Sequence, residues 1–199
     1  MGLTAQYPGA RSIQGKRKIY MNILAITAQI FSIAAMIITI LSMQCRSNKN
    51  FFLLQETGGI LFGTSFFMMG AWSGALMNVF GIIRPELLRH EKSGKSKLTL
   101  LFLILLLAAC SCTIFLISEE KWYFILMVSA AQLAGTIAMW IRSGKMIRWA
   151  QLLVVSPFWL AYDALIPTPN IGGILTEIIN IGSVCIALFR YRKIGFTER

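Results

Sequence analysis

Residues 98–117 read LTLLFLILLLAACSCTIFLI, twenty positions without a charge, a proline or a glycine. A helix rises about 1.5 Å per residue, so this stretch reaches about 30 Å, the thickness of a bilayer's hydrocarbon core. It reads as a membrane span. Outward from it lie further apolar runs, Tyr20–Met43, Phe51–Gly70 and Ser73–His90 before it, and Trp122–Ile141, Met146–Leu165 and Ile171–Phe189 after it. The expected fold class is therefore an all-α integral membrane protein of about seven transmembrane helices. The third run carries Arg84 and Pro85, and a proline removes a helix hydrogen bond, so an end or a kink is expected there.

Composition agrees with this reading. Of 199 residues, 56% are hydrophobic and 14% charged, with a mean hydropathy of +0.67. Short loops leave no room for a soluble catalytic domain. A net charge of +11 would point to nucleic acid in a soluble protein, but here the basic residues cluster between apolar runs and read as topology determinants. Arg46, Lys49, Arg84, Arg89, Lys92, Lys95, Lys97, Arg142, Lys145, Arg148, Arg190, Arg192, Lys193 and Arg199 fall on one face of seven alternating spans. That face is expected to be cytoplasmic, with the N-terminus outside and the C-terminus inside. The opposite face holds Lys121, Glu119 and Glu120, together with Arg11, Lys16, Arg17 and Lys18.

The N-terminal basic group opposes that assignment. Either one apolar run does not span, or residues 1–20 are an extension outside the natural mature chain; the apolar start Met21-Asn22-Ile23-Leu24 favours the second. The four cysteines make no even, exposed set, so free thiols are expected.

An internal repeat organises the spans. Arg46-Ser47-Asn48-Lys49 recurs as Arg142-Ser143-Gly144-Lys145 at an offset of 96, and Gln55 pairs with Gln151 at the same offset. After three inserted residues, Gly74-Ala75-Leu76-Met77-Asn78 aligns with Gly173-Ile174-Leu175-Thr176-Glu177. Spans one to three then resemble spans five to seven in parallel, a 3+1+3 arrangement like that of SWEET-type transporters. The expected divisions are an extension (1–20), a first three-helix bundle (21–92), a linking helix (93–121) and a second bundle with a cytoplasmic tail (122–199).

Several short stretches resemble the bacterial inner-membrane proteins typified by YgjV. They are Ala28-Gln29, Phe66-Phe67-Met68-Met69-Gly70, Gly74 and Asn78 ahead of Arg84, Trp159 before Tyr162-Asp163, Ile171-Gly172-Gly173 with Glu177, and Phe189-Arg190-Tyr191-Arg192. The resemblance covers roughly residues 25–195. It implies an inner-membrane location and, through the SWEET and PQ-loop group, transport. The chain departs from the family where Tyr162-Asp163 stands in place of His-Asn and the loop from Pro167 to Pro169 is longer.

Ionisable residues inside spans are costly and mark candidate sites. Glu56 and Arg84 both fall roughly 8 to 9 Å from the inner edge, which predicts a buried ion pair, either a structural clip or an inner gate or substrate anchor, with separate snorkelling to the inner headgroups as the alternative. Asn78 and Glu177 occupy repeat-equivalent positions roughly 7 and 9 Å below the outer surface. If both face a shared axis, they converge on a central substrate site, with Tyr162 and Asp163 at its mouth and Trp159 in its wall. Local hydrogen bonding of Glu177 to Asn180 is the plainer alternative. Glu177 could carry a proton or meet a cationic substrate. His90 is the only histidine, so no histidine metal centre or triad can be built, and no phosphate-loop or dinucleotide motif occurs.

The expected function is that of a small-solute transporter working between two three-helix bundles; the alternative is a non-transporting accessory, sensor or immunity factor. No enzyme activity, cofactor, metal or nucleic-acid partner is expected. The expected partners are the lipid bilayer, a small solute and, optionally, a second copy of the chain.

Overall fold

The computed structural model of the chain describes residues 8–90 and 96–192, with side chains at 22–88 and 96–192. The described elements are helices: α1 (Pro8–Gln44), α2 (Asn48–Met68), α3 (Trp72–His90), α4 (Lys97–Ile117), α5 (Trp122–Ile141), α6 (Gly144–Ala150), α7 (Ser156–Leu165) and α8 (Ile171–Arg190). A π-helical turn over Gln151–Val155 joins α6 to α7 in one rod, so the described residues form seven rods. By length and composition four segments can cross a membrane: Asn22–Gln44, Lys97–Ile117, Trp122–Ile141 and Ile171–Arg190.

The other three rods have lower hydropathy because their polar residues turn inward. On α2 and α3 the outer face shows Leu53, Ile60, Phe67, Val79, Ile83 and Leu87, while Asn48, Ser65, Ser73 and Arg84 are buried. In water such apolar faces would drive aggregation; in a bilayer they meet lipid tails. The same inversion marks α1. Ile26, Ile30, Ile33, Ile37 and Leu41 form an exposed stripe at helical spacing, and the small residues Ala28, Ser32, Ala35 and Ser42 form the buried one.

Small residues let the backbones approach closely. A Cβ added at Gly58 would lie 2.7 Å from Thr39 Oγ1, and one at Gly172 would lie 2.2 Å from Ser32 Oγ. Polar bonds then join the rods, as in Ser65 Oγ donating to the Ala28 carbonyl at 2.8 Å.

Six rods close a ring in chain order. α1 packs on α2, α2 on α3, α3 on α5, α5 on the α6–α7 rod, α7 on α8, and α8 returns to α1. α4 stands outside the ring against α3 and α5. It buries only Leu103, Leu107 and Ile114, as expected of a helix with no polar face to shelter.

The structure corrects two expectations, for Pro85 and for Arg148. Pro85 neither ends nor divides α3, which runs on to His90; the proline removes only the donor that the Gly81 carbonyl would otherwise receive. Residues 8–20 form the first part of α1. The side chains of Arg11, Lys16, Arg17 and Lys18, and linker positions 91–95, lie outside the described residues. Arg148 is not a loop residue but a fully buried one in α6. Its guanidinium donates to the carbonyls of Cys45 at 2.8 Å, Gly144 at 3.3 Å and Met43 at 3.5 Å, and lies 4.9 Å from the centre of the Phe51 ring.

Candidate functional site

The ring encloses a cavity of about 90 Å³. Each of the six ring rods contributes to its wall, and α4 contributes nothing. Thr39 comes from α1, Gln55 from α2, Asn78 and Arg84 from α3, and Gln132 from α5. Gln151, Trp159 and Asp163 come from the π turn and α7, and Glu177 from α8.

Local helix geometry sets this lining. On α3, Asn78, Gly81 and Arg84 recur every three residues and share a face. On the α6–α7 rod the lining recurs every four residues: Ile147, Gln151, Val155, Trp159 and Asp163. In a plain α-helix such a stripe drifts about 40° per step, or about 160° overall. The π turn advances by a smaller angle per residue and holds the stripe toward the cavity. Its cause is local: Pro157 at the start of α7 lacks a donor, and the Ser156 N–H reaches back five residues to the Gln151 carbonyl. Gln151 Nε2 adds a bond to Ser156 Oγ at 3.1 Å.

Two carboxylates occupy one part of the wall. Asp163 is 2% exposed and Glu177 8%. Asp163 Oδ1 and Glu177 Oε2 have no hydrogen-bond partner. Ser156 and Asn180 are the polar neighbours of Glu177, and both amide atoms of Asn180 are themselves buried without partners. Gly173 makes room for Asp163: a Cβ there would lie 2.4 Å from Asp163 Oδ2. Gly173 is fixed by the α8 cap, in which Asn170 Oδ1 accepts from the Gly173 N–H at 3.1 Å and from Ser32 Oγ at 2.8 Å.

Arg84 lies about 9 Å along α3 from Asn78. Its Nη1 donates to Gln132 Oε1 at 2.8 Å and to the Gln132 carbonyl at 3.2 Å, with Thr136 Oγ1 at 3.4 Å. Gly135 leaves the space it fills, since a Cβ there would meet Nη1 at 2.9 Å. Of the expected Glu56–Arg84 pair, Arg84 lines the cavity and bonds to Gln132 and Thr136 of α5, while Glu56 does not line the cavity.

The remaining candidates divide. Asn78 lines the cavity and donates to the Gly74 carbonyl at 2.8 Å. Trp159 lines it and stacks on Phe66, with ring centres 5.9 Å apart. Tyr162 does not line it. Fully buried, its hydroxyl accepts from the Gly74 N–H at 2.9 Å and meets Ser73 Oγ at 2.7 Å, locking α7 to the start of α3. Glu120, expected in an outer loop, accepts from Ser73 N–H and Oγ in the same network. Asn180 lies beside Glu177, as the plainer alternative expected; Gln132, Thr136, Ser156 and Arg148 were missed as site or packing residues, although Gln132 and Thr136, spaced four apart within an apolar run, carried a readable signal.

Among the described residues no three His, Cys, Asp or Glu side chains cluster as metal ligands, and Cys45, Cys110, Cys112 and Cys185 are free thiols.

A family described as bacterial inner membrane protein, Imp-YgjV, matches residues 26–194. The chain belongs to the YgjV family. Comparison with curated proteins and with solved structures finds no match. The matched residues of this YgjV-family protein include the whole cavity wall, from Thr39 to Glu177. Membership sets the bacterial inner membrane as its location and the bilayer as the medium around the ring.

Proposed function

We propose that this YgjV-family protein moves a small polar solute across the inner membrane through the cavity inside its six-helix ring. One observation carries the reading: Asn78, Trp159, Asp163 and Glu177, drawn from α3, α7 and α8, line one cavity whose walls hold buried polar atoms without partners. A packed core satisfies such atoms, whereas a binding site keeps them for its ligand. All seven rods cross the membrane, with the N-terminus outside and the C-terminus in the cytoplasm.

The 3+1+3 repeat belongs to the same reading. It is supported by Gln55 and Gln151, and Asn78 and Glu177, which line the one cavity, and by Ser47 and Ser143, which precede α2 and α6. The two basic turns meet where Asn48 Nδ2 donates to the Arg142 carbonyl at 3.3 Å. In this reading the Tyr162–Ser73–Glu120 bonds close one end of the cavity and the bonds of Arg148 to the Met43 and Cys45 carbonyls close the other. Breaking one set at a time gives alternating access.

The test is flux into proteoliposomes for a panel of small cations, neutral solutes and anions, with wild type and Glu177→Gln. The proposal expects at least one class to move, and at least tenfold more slowly in the variant. No flux for any class would refute it.

A further inference from the structure

The cavity wall presents two carboxylates and one guanidinium, so with all three ionised its described part carries one excess negative charge. The guanidinium does not neutralise the carboxylates by contact. Arg84 is bound to Gln132 and Thr136, about two helical turns from the level of Asn78. The backbone supplies no donor either, because the Gly173 N–H beside Asp163 is taken by Asn170. Asp163 packs against Gly173, one turn before Glu177 on α8, so the two carboxylates share one region of the wall. Each points an oxygen without a partner into the same space, although each is more than nine-tenths buried. The neutral neighbours, Asn170 beside Asp163 and Ser156 and Asn180 beside Glu177, leave these two oxygens open, and a donor that brings positive charge suits the pair.

The walls narrow its chemistry. No third carboxylate, histidine or cysteine joins the pair among the described residues, so a divalent metal lacks ligands. Trp159 and Phe66 provide aromatic surface beside the carboxylates, which suits an organic cation. The volume of about 90 Å³ is well below the ~150 Å³ that accepts benzene, which limits the ligand to a few heavy atoms.

We propose that the cavity binds a small organic monocation, an ammonium or guanidinium group, whose N–H donors meet Asp163 and Glu177 against the ring of Trp159. This rests on the solute-cavity reading above and names its substrate class.

The test is equilibrium binding to the detergent-purified full chain, followed by tryptophan fluorescence and thermal stability. The probes are millimolar guanidinium and methylammonium chloride, with urea, acetate and sodium chloride as neutral, anionic and inorganic counterparts. Saturable binding of the organic cations alone is expected. Asp163→Asn and Glu177→Gln each weaken it at least tenfold, and Trp159→Phe keeps binding while losing most of the fluorescence change. Urea or acetate binding as well as guanidinium, sodium binding without the organic cations, or no saturable binding would overturn the proposal on wild type alone, whatever the variants' folding. Cation binding without flux leaves this site standing and removes transport; flux of a neutral solute without cation binding does the reverse.

Discussion

Helix α8 offers three glycines in three different environments, and its contact with α1 yields a sharp expectation. A methyl at Gly172 would lie 2.2 Å from Ser32 Oγ, 2.6 Å from Ser32 Cβ and 3.0 Å from the Ser32 carbonyl carbon. Ser32 is fully buried and bonded to Asn170 at 2.8 Å, so it cannot turn away freely. Carbon atoms in good contact sit about 3.5–4.0 Å apart, and Gly172→Ala therefore separates α8 from α1 by about 1 Å. Overpacking of this kind costs about 1–3 kcal/mol, and losing the Ser32–Asn170 bond adds about 1 kcal/mol. At Gly182 a methyl meets nothing within 4 Å; Gly182→Ala is expected to be neutral or to stabilise the helix by up to about 1 kcal/mol. Unfolding in mixed detergent micelles measures both. Gly172→Ala should unfold about 2–4 kcal/mol more easily than wild type and Gly182→Ala no more easily. Equal losses in the two variants, or an unperturbed Gly172→Ala, would refute the close α1–α8 packing.

Gln132→Leu removes the side-chain acceptor of the buried Arg84 guanidinium and, separately, the amide that donates to the Met77 carbonyl at 2.9 Å; a loss of about 2–4 kcal/mol is expected in the same unfolding assay. Tyr162→Phe deletes the bonds to Ser73 and Gly74 while leaving the ring packed, so stability should fall by about 1–2 kcal/mol and proteolysis of the loop around Glu120 should accelerate. Burial pushes the Cys45 thiol up, and the Arg148 guanidinium pulls it part of the way back. Less thiolate is present at a given pH, so maleimide labelling of Cys45 should lag behind an ordinary exposed thiol at neutral pH and catch up as the pH rises. In right-side-out spheroplasts an impermeant maleimide should reach Cys45 only after permeabilisation, as the basic loops predict.

The helical rods were legible because bilayer spans announce themselves by length and hydropathy, most plainly in Leu98–Ile117. Asn78 and Glu177 stood out in the sequence as polar side chains inside apolar runs. Arg84 was visible as a charge inside an apolar run, but its bonds to Gln132 and Thr136 were not, because depth along an axis says nothing about helix phase. Tyr162 and Asp163, adjacent in sequence, point about 100° apart on a helix, so one locks α3 while the other enters the cavity. The π turn at Gln151–Val155 left one trace, Pro157, which by itself predicts only a disturbance. Burial of Arg148 had no sequence signal, because its partners are backbone carbonyls of Met43 and Cys45, more than 100 residues away.

The central claim is that the cavity is a solute site reached in turn from each face of the membrane. The most direct test places a single cysteine at Asn78, with the four native cysteines replaced by serine, and measures its modification in oriented membranes by a small cationic methanethiosulfonate reagent. The account predicts reaction from either face, and protection by the solute that the flux panel identifies. A cysteine at position 78 that reacts from neither face would mean that the ring encloses packed core, and would contradict the account.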